Sequence, residues 1–434
     1  MTWLQRHQVR HYITNSLWIG PVLAMAAALA VIHLLHGVDT ALGWRSGIDP
    51  DTVRGVLGAM AASTFTFVVF VSSALLVAVQ LASSLLTPRV IALMFQDSVT
   101  RTSLTVFVFT FTFSLGALVR VGDSVPLLTA YTAAYSSLAN LGVFLYLIDH
   151  VGKTLRPSGA LWMVAAHGRE VIAHVYPRRF ADAPSAVSTP QAIPEGAAPR
   201  VVASPKDGVV LAFDIPGLVS LARRAECIIE FVPQVGDFVA AGDPLFRVFP
   251  AGAALSAESL QQSVAVGQER TLEQDPAFAF RIIVDIASKG LSPAINDPTT
   301  AVLALDQIHH LLREVGQRRL DDDRVRDRDG RLRLIYRTPG WEDFVHLAVT
   351  EIRQFGGTSI QIARRLRAML ENLMQTVPGD RAVLLGRELQ LLHRSAERFF
   401  TEPEDRALAE ISDSQGVGGK ASGGATTAPG QELR

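Results

Sequence analysis

The stretch Gly55 to Leu86, GVLGAMAASTFTFVVFVSSALLVAVQLASSLL, runs for about thirty residues without a charged side chain. A helix rises about 1.5 Å per residue, so this run is longer than a hydrocarbon core about 30 Å thick. It either tilts across a bilayer or continues past it until Pro88 blocks the helix. Three more nearly charge-free runs flank it: Ser16 to Leu35, Thr102 to Leu118 and Val125 to Ile148. Each is long enough to cross most or all of the core, which predicts four transmembrane helices.

The first run is too long for a cleavable signal, and no small-residue cleavage site follows it. Arg6, Arg10, Arg89, Arg101, Lys153 and Arg156 fall on one side of the spans. Arg45, Arg54 and Arg120 fall on the other, accompanied by Asp39, Asp49, Asp51 and Asp123. Only basic residues count in the positive-inside rule, and they place both termini in the cytoplasm of a bacterial inner membrane.

The rest of the 434-residue chain is ordinary charged sequence, which is why a mean hydropathy of +0.26 coexists with a formal net charge of −1. That charge excludes a globally basic nucleic-acid binder, so no nucleic-acid partner is expected. The single cysteine, Cys227, can form no intramolecular bridge.

The spacing divides the chain into a four-span domain (1–155), a connecting helix and Pro/Ala/Ser linker (156–199), a small β module (200–252), a helical bundle (253–408) and a disordered Gly/Ser-rich tail (409–434). In the β module, Gly236-Asp237 and Gly242-Asp243 each introduce a strand, a pattern that resembles the barrel-sandwich modules related to biotinyl and lipoyl domains. Lys206 is the only lysine there and lacks the hydrophobic flanks of a modifiable one, so no cofactor is expected. Bundle helices are predicted over 257–274, 277–288, 298–317, 341–354, 359–376 and 380–400, with Thr358 and Gln361 as a capping box. A hairpin near 325–337 turns at Asp329-Gly330. The fold class is therefore an α-helical membrane domain of four spans followed by a cytosolic α+β region.

No nucleotide-cradling loop, zinc-ligand spacing, nucleophile elbow or kinase signature occurs, so an enzyme is not expected. In the spans, Thr66, Ser73 and Gln80 recur every seven residues and Thr132, Ser136 and Asn140 every four, each set lying along one helix face. Such stripes serve either interhelical packing or a water-filled pathway, and the amides of Gln80 and Asn140 are least explained by packing. In the bundle, Arg281, Asp285 and Lys289 make a charged ladder. Asp306 and His310, with His346 or Glu351, are the weak metal candidates; no third ligand is fixed by spacing.

The segment DIASKGLSPAINDPTTAVLALD, from Asp285, interrupts two helical patterns. Gly290 is placed to end one helix in the left-handed conformation, and Asp297 caps the next with Pro298 at its first position. The reversal is either purely structural, or Ser292, Asn296 and Asp297 contact an anion or a neighbouring subunit.

The four spans, LLTPRVIALMFQDSVTR after the second (Pro88, Arg89, Phe95, Asp97), the Gly-Asp segment, and the motif at Asp285, Ala287, Leu291, Ser292, Pro293, Asn296, Asp297 and Pro298 together resemble one family. It is the group of bacterial predicted membrane proteins called domain of unknown function 2254, and the resemblance covers all but the tail. It implies a multipass inner-membrane protein and supplies no catalytic residues. From layout, the expectation is a homo-oligomeric ion channel or transport protein in a lipid bilayer, its cytosolic region regulating access. The alternative is a membrane-anchored sensor or scaffold without conduction.

Overall fold

The structure is a computed structural model that describes residues 2–43, 48–89, 97–154, 156–181, 198–250, 254–320 and 324–419. The chain divides into two compact units, Arg6–Ala160 and a second that consists of Leu161 onward with the first five residues.

In the first unit, α1 (Trp3–Asn15) precedes α2 (Ile19–Leu42), α3 (Pro50–Leu85), α4 (Ser98–Arg120) and α5 (Leu127–Thr154). The last four are long and apolar enough to cross a membrane, as the sequence predicts. Phe95 of the family motif lies outside the described residues. α4 is the most buried of the four and packs against α2, α3 and α5. Large apolar side chains such as Leu29, Leu34, Leu76, Val77 and Leu138 stand exposed, as lipid-facing residues would.

Charged groups tie the helix ends together rather than lining the spans. Asp39 accepts the backbone amides of Leu128 (2.9 Å) and Thr129 (3.0 Å), capping α5 from the end of α2. Arg54 donates to the carbonyls of Val121 and Gly122 just beyond α4. Arg101 does the same for Ile13 and Thr14 at the end of α1. Arg120 folds back onto the Gly116 carbonyl and reaches His33 Nδ1 at 3.1 Å.

The second unit begins within α6 (Pro157–Val175), the expected amphipathic connecting helix; most of the linker that follows lies outside the described residues. Its remaining elements are β1 (Arg200–Ala203), β2 (Gly208–Phe213), α7 (Ile215–Arg224), β3 (Ile228–Gln234), β4 (Phe238–Val239), β5 (Pro244–Phe249), α8 (Ala257–Gln261) and β6 (Val264–Gly267). There follow α9 (Pro276–Gly290), α10 (Pro298–Gly316), β7 (Arg324–Arg326), β8 (Leu332–Arg337), α11 (Trp341–Phe355), α12 (Ile360–Thr376), α13 (Gly379–Phe399) and α14 (Pro403–Ala409).

The strands form two open sheets, ordered β1-β5-β3-β8-β7 and β4-β2-β6, with no closed barrel among the described residues. The expected order of four apolar helices followed by a mixed α/β region is present, while the barrel-sandwich detail is not shown. The expected Gly-Asp turns do form: Gly236 and Gly242 have φ of +92° and +96°, and the carboxylates of Asp237 and Asp243 accept the amides of Gln234 and Ala240. Both sheets and α7 share one core, built on Val210, Leu218, Phe231, Phe246 and Val264. β8 lies parallel to β3, so the hairpin extends the five-stranded sheet.

The helix predicted over 257–274 is a correction. It shrinks to α8, and Val264 to Gly267 instead pair with β2, where Val264 and Ala265 bury into the sheet core. α9 to α13 form the bundle, with α9 packed on α10 and α11 and α12 on α10 and α13. An aspartate caps α7, α9 and α10 in turn (Asp214, Asp275, Asp297), each followed by proline in the first turn. The cap of α12 is Ser359 rather than Thr358. Residues 410–419, the start of the stretch read as a disordered tail, fold back on α12. Arg364, only 1% exposed, donates to the carbonyls of Ile411, Gly418 and Gly419. Residues 420–434 lie outside the described residues.

Candidate functional site

The four-span unit contains a polar level between two apolar clusters. One cluster gathers Ala28, Ile32, Leu57, Phe113, Ala117 and Ala133; the other gathers Val71, Phe107 and Leu147. On α5, Asn140 lies two turns from Ala133 and two from Leu147. On α3, buried Thr64 stands midway between Leu57 and Val71 in the same way. On α4, buried Thr110 falls between Phe107 and Phe113. Three helices thus each bring a buried polar residue to the interval between the clusters.

Asn140 is 0% exposed, yet neither its amide oxygen nor its amide nitrogen has a hydrogen-bond partner. The hydroxyls of Ser114 and Ser137 are likewise buried without partners. An unbonded buried amide or hydroxyl costs roughly 1–3 kcal/mol by protein mutational measures. Such a cost is relieved when water or another polar species reaches these groups.

The other members of the two stripes sit elsewhere. Thr66, Ser73 and Gln80 are exposed on α3, whereas Asn140 points inward, so the two stripes do not line one space within the chain. Thr66 donates its hydroxyl to the Ala62 carbonyl and Thr132 to that of Leu128, which satisfies both locally. Ser136 is half-buried. Phe107 and Phe113 are fully buried packing groups, and Phe107 lies near Phe67 and Phe144.

Asp97 of the family motif caps α4 through the Thr100 amide (2.9 Å), and its Oδ2 is 3.1 Å from His150 Nε2 on α5. Sequence reading missed this pair, as it missed Ser114 and Ser137; only the partnering of α4 with α5 brings them into view.

In the α/β unit, Asp297 caps α10 through the Thr300 amide and hydroxyl, so the chain's own carboxylate occupies the anion position at that helix end. Ser292 donates to the Lys289 carbonyl, and Asn296 is exposed with φ of +49°. The left-handed residue of the reversal is thus Asn296, not Gly290. Gly290 instead allows a close approach: a Cβ there would stand 3.1 Å from the Asp297 carbonyl oxygen, tighter than an ordinary contact.

Asp306 is engaged by Arg365 at 2.8 Å, His310 is exposed, and Glu351 is held by Arg281. No three His, Cys, Asp or Glu side chains gather for a metal among the described residues. Arg281 bridges Asp285 and Glu351, joining α9 to α11, so the charged ladder is an interhelical tie. The Arg281 guanidinium holds the Glu351 carboxyl below its usual range.

Four apolar spans joined to a mixed α/β unit define a multipass membrane protein. The chain belongs to the predicted membrane protein family DUF2254, whose model matches residues 14–372. It is similar to "Uncharacterized protein Rv1290c" of Mycobacterium tuberculosis and "Uncharacterized protein Mb1321c" of Mycobacterium bovis. Each is 27% identical over 424 residues, covering 93% of this chain and 80% of the relative. No solved structure matches the chain.

Proposed function

We propose that this is a homo-oligomeric channel or transport protein of the bacterial inner membrane, with both termini cytoplasmic and the α/β unit regulating access. The observation that carries the reading is the unsatisfied amide of Asn140, placed like Thr64 and Thr110 between the two apolar clusters, with the hydroxyls of Ser114 and Ser137 also unpartnered. In a bilayer such groups have no outside solvent to bond, so a buried polar level is a natural station for a hydrated solute. The exposed row Thr66, Ser73 and Gln80 supports association, because a second copy can cover a polar face that lipid cannot solvate well. Together with Thr132 and Ser136, these are the positions assigned to the pathway and its subunit contacts. The locally bonded hydroxyls of Thr66 and Thr132 favour the second reading, a membrane-anchored sensor or scaffold in which the stripes only pack. A three-dimensional reconstruction in lipid nanodiscs distinguishes the two. The conduction reading expects a closed oligomer with a hydrated passage that reaches the Asn140 level; a dry, packed assembly or a monomer contradicts it.

A further inference from the structure

A cavity of about 380 Å³ opens within the α/β unit, and its walls carry two kinds of chemistry. Four arginines line it: Arg178, Arg324, Arg326 and Arg337. Of these, Arg326 already donates to the Gly330 carbonyl, and Arg324 and Arg337 stand at exposed positions; the one carboxylate among the lining residues, Asp275, has a side chain only 2% exposed and is paired with Arg270. Phe213 and Tyr336 also line the cavity, 4% and 7% exposed, their rings edge to face with centroids 5.1 Å apart, together with apolar Val175, Ile215 and Val235.

The scaffold that presents these groups is tightly fixed. Arg324 and Arg326 alternate along edge strand β7, which pairs with β8 at Arg324–Ile335 and Arg326–Leu332. Arg337 ends β8 opposite Gln234 of β3. The backbone of Phe213 is bracketed by the Gln274 amide at 3.1 and 3.2 Å. The segment carrying Arg178 is held by Arg318, which donates to the Tyr176 carbonyl, and by the Arg319 amide, which donates to that of Arg178. Tyr176 in turn donates its hydroxyl to the Pro339 carbonyl at 2.8 Å.

We propose that this cavity binds a nucleoside phosphate. Guanidinium groups match the geometry and charge of phosphate oxygens, and the apolar part of the lining accepts a flat base. The volume lies toward the small end of the range of about 300–1,000 Å³ typical of ligand pockets, which suits a nucleotide and is too small for a two-chain phospholipid. The site lies wholly in the α/β unit and does not depend on conduction.

Calorimetric titration of the full-length protein in detergent with AMP, adenosine and inorganic phosphate tests the proposal. AMP is expected to bind with a Kd below about 1 mM, and adenosine and phosphate each at least about tenfold more weakly. Arg324→Ala and Arg337→Ala, both at exposed strand positions, are each expected to weaken AMP about tenfold. Arg328→Ala, in the hairpin turn away from the cavity, should leave binding unchanged and serves as the folding-neutral control. No binding of AMP, ADP or ATP to the folded wild type overturns the proposal. So does AMP binding that both cavity variants leave intact, and so does phosphate binding as tightly as AMP, which would remove the role of the apolar lining.

Discussion

The carboxylate of Asp39, near the end of α2, accepts both the backbone amide (3.0 Å) and the hydroxyl (2.7 Å) of Thr129 at the start of α5. This contact closes one end of the four-span unit and leaves an aspartate 7% exposed with its charge satisfied by amide dipoles. Asp39→Ala is expected to destabilise the protein in detergent by about 1–2 kcal/mol, the usual worth of a cap. Thr129→Val should cost less, because it removes the hydroxyl and keeps the amide. Thermal unfolding measures both, and equal losses would show that the amide contributes nothing.

At the opposite end Asp97 performs two tasks, capping α4 and meeting His150. Asp97→Ala should therefore lower the unfolding temperature more than His150→Ala, which leaves the cap in place. The reverse order would mean that the contact with α5 outweighs the cap.

Asn140→Leu separates stability from function. Replacing an unpartnered buried amide with an apolar side chain of similar size is expected to raise stability by about 1–2 kcal/mol while abolishing flux. Ordinary packing polarity predicts the gain in stability without any functional loss, so the two readouts together decide its role.

The Arg281–Glu351 tie gives a pH dependence with a definite sign. Glu351 has a depressed pKa in the folded state, so its contribution is present above the unfolded carboxylate value, about 4.3, and is lost as pH falls through the folded one. The stability difference between wild type and Glu351→Gln should shrink as pH falls from about 5 to about 3. The Glu351 side chain is 39% exposed, so screening keeps the effect small. A difference that stays constant with pH would remove the ion pair as its source. Asp275, pushed up by burial, works in the other direction: its contribution favours acid and is lost as pH rises through its raised folded value.

Cys227 is 2% exposed, and burial pushes its thiol pKa up, so a thiol reagent should leave the folded protein unmodified and react after denaturation. Rapid native labelling would contradict the packing of the sheet core around it. Membrane sidedness is better read from a cysteine introduced at exposed Lys206, in a variant with Cys227 replaced by Ala.

The spans were legible because about twenty consecutive apolar residues have few other uses, and the Asp-Pro helix starts because cap chemistry is local. Asn140 was legible as an amide out of place in an apolar run. The unpartnered hydroxyls of Ser114 and Ser137 were not, since small hydroxyl residues are common in membrane helices and only the packed helices show them buried. The parallel pairing of β8 with β3 joins segments about a hundred residues apart, a distance at which no local periodicity reports. The cavity arginines were hidden for the same reason: Arg178, Arg324 and Arg337 come from separate elements and form no motif. The helix expected over 257–274 failed because sheet pairing overrode its helical pattern.

Flux through the purified protein in liposomes is the most direct measurement of all. With wild type reconstituted under monovalent cation and anion gradients, at least one ion is expected to pass at a rate above protein-free vesicles, and Asn140→Leu is expected to remove that flux. Wild-type vesicles that hold every gradient, with and without AMP, would contradict conduction and leave a membrane-anchored sensor.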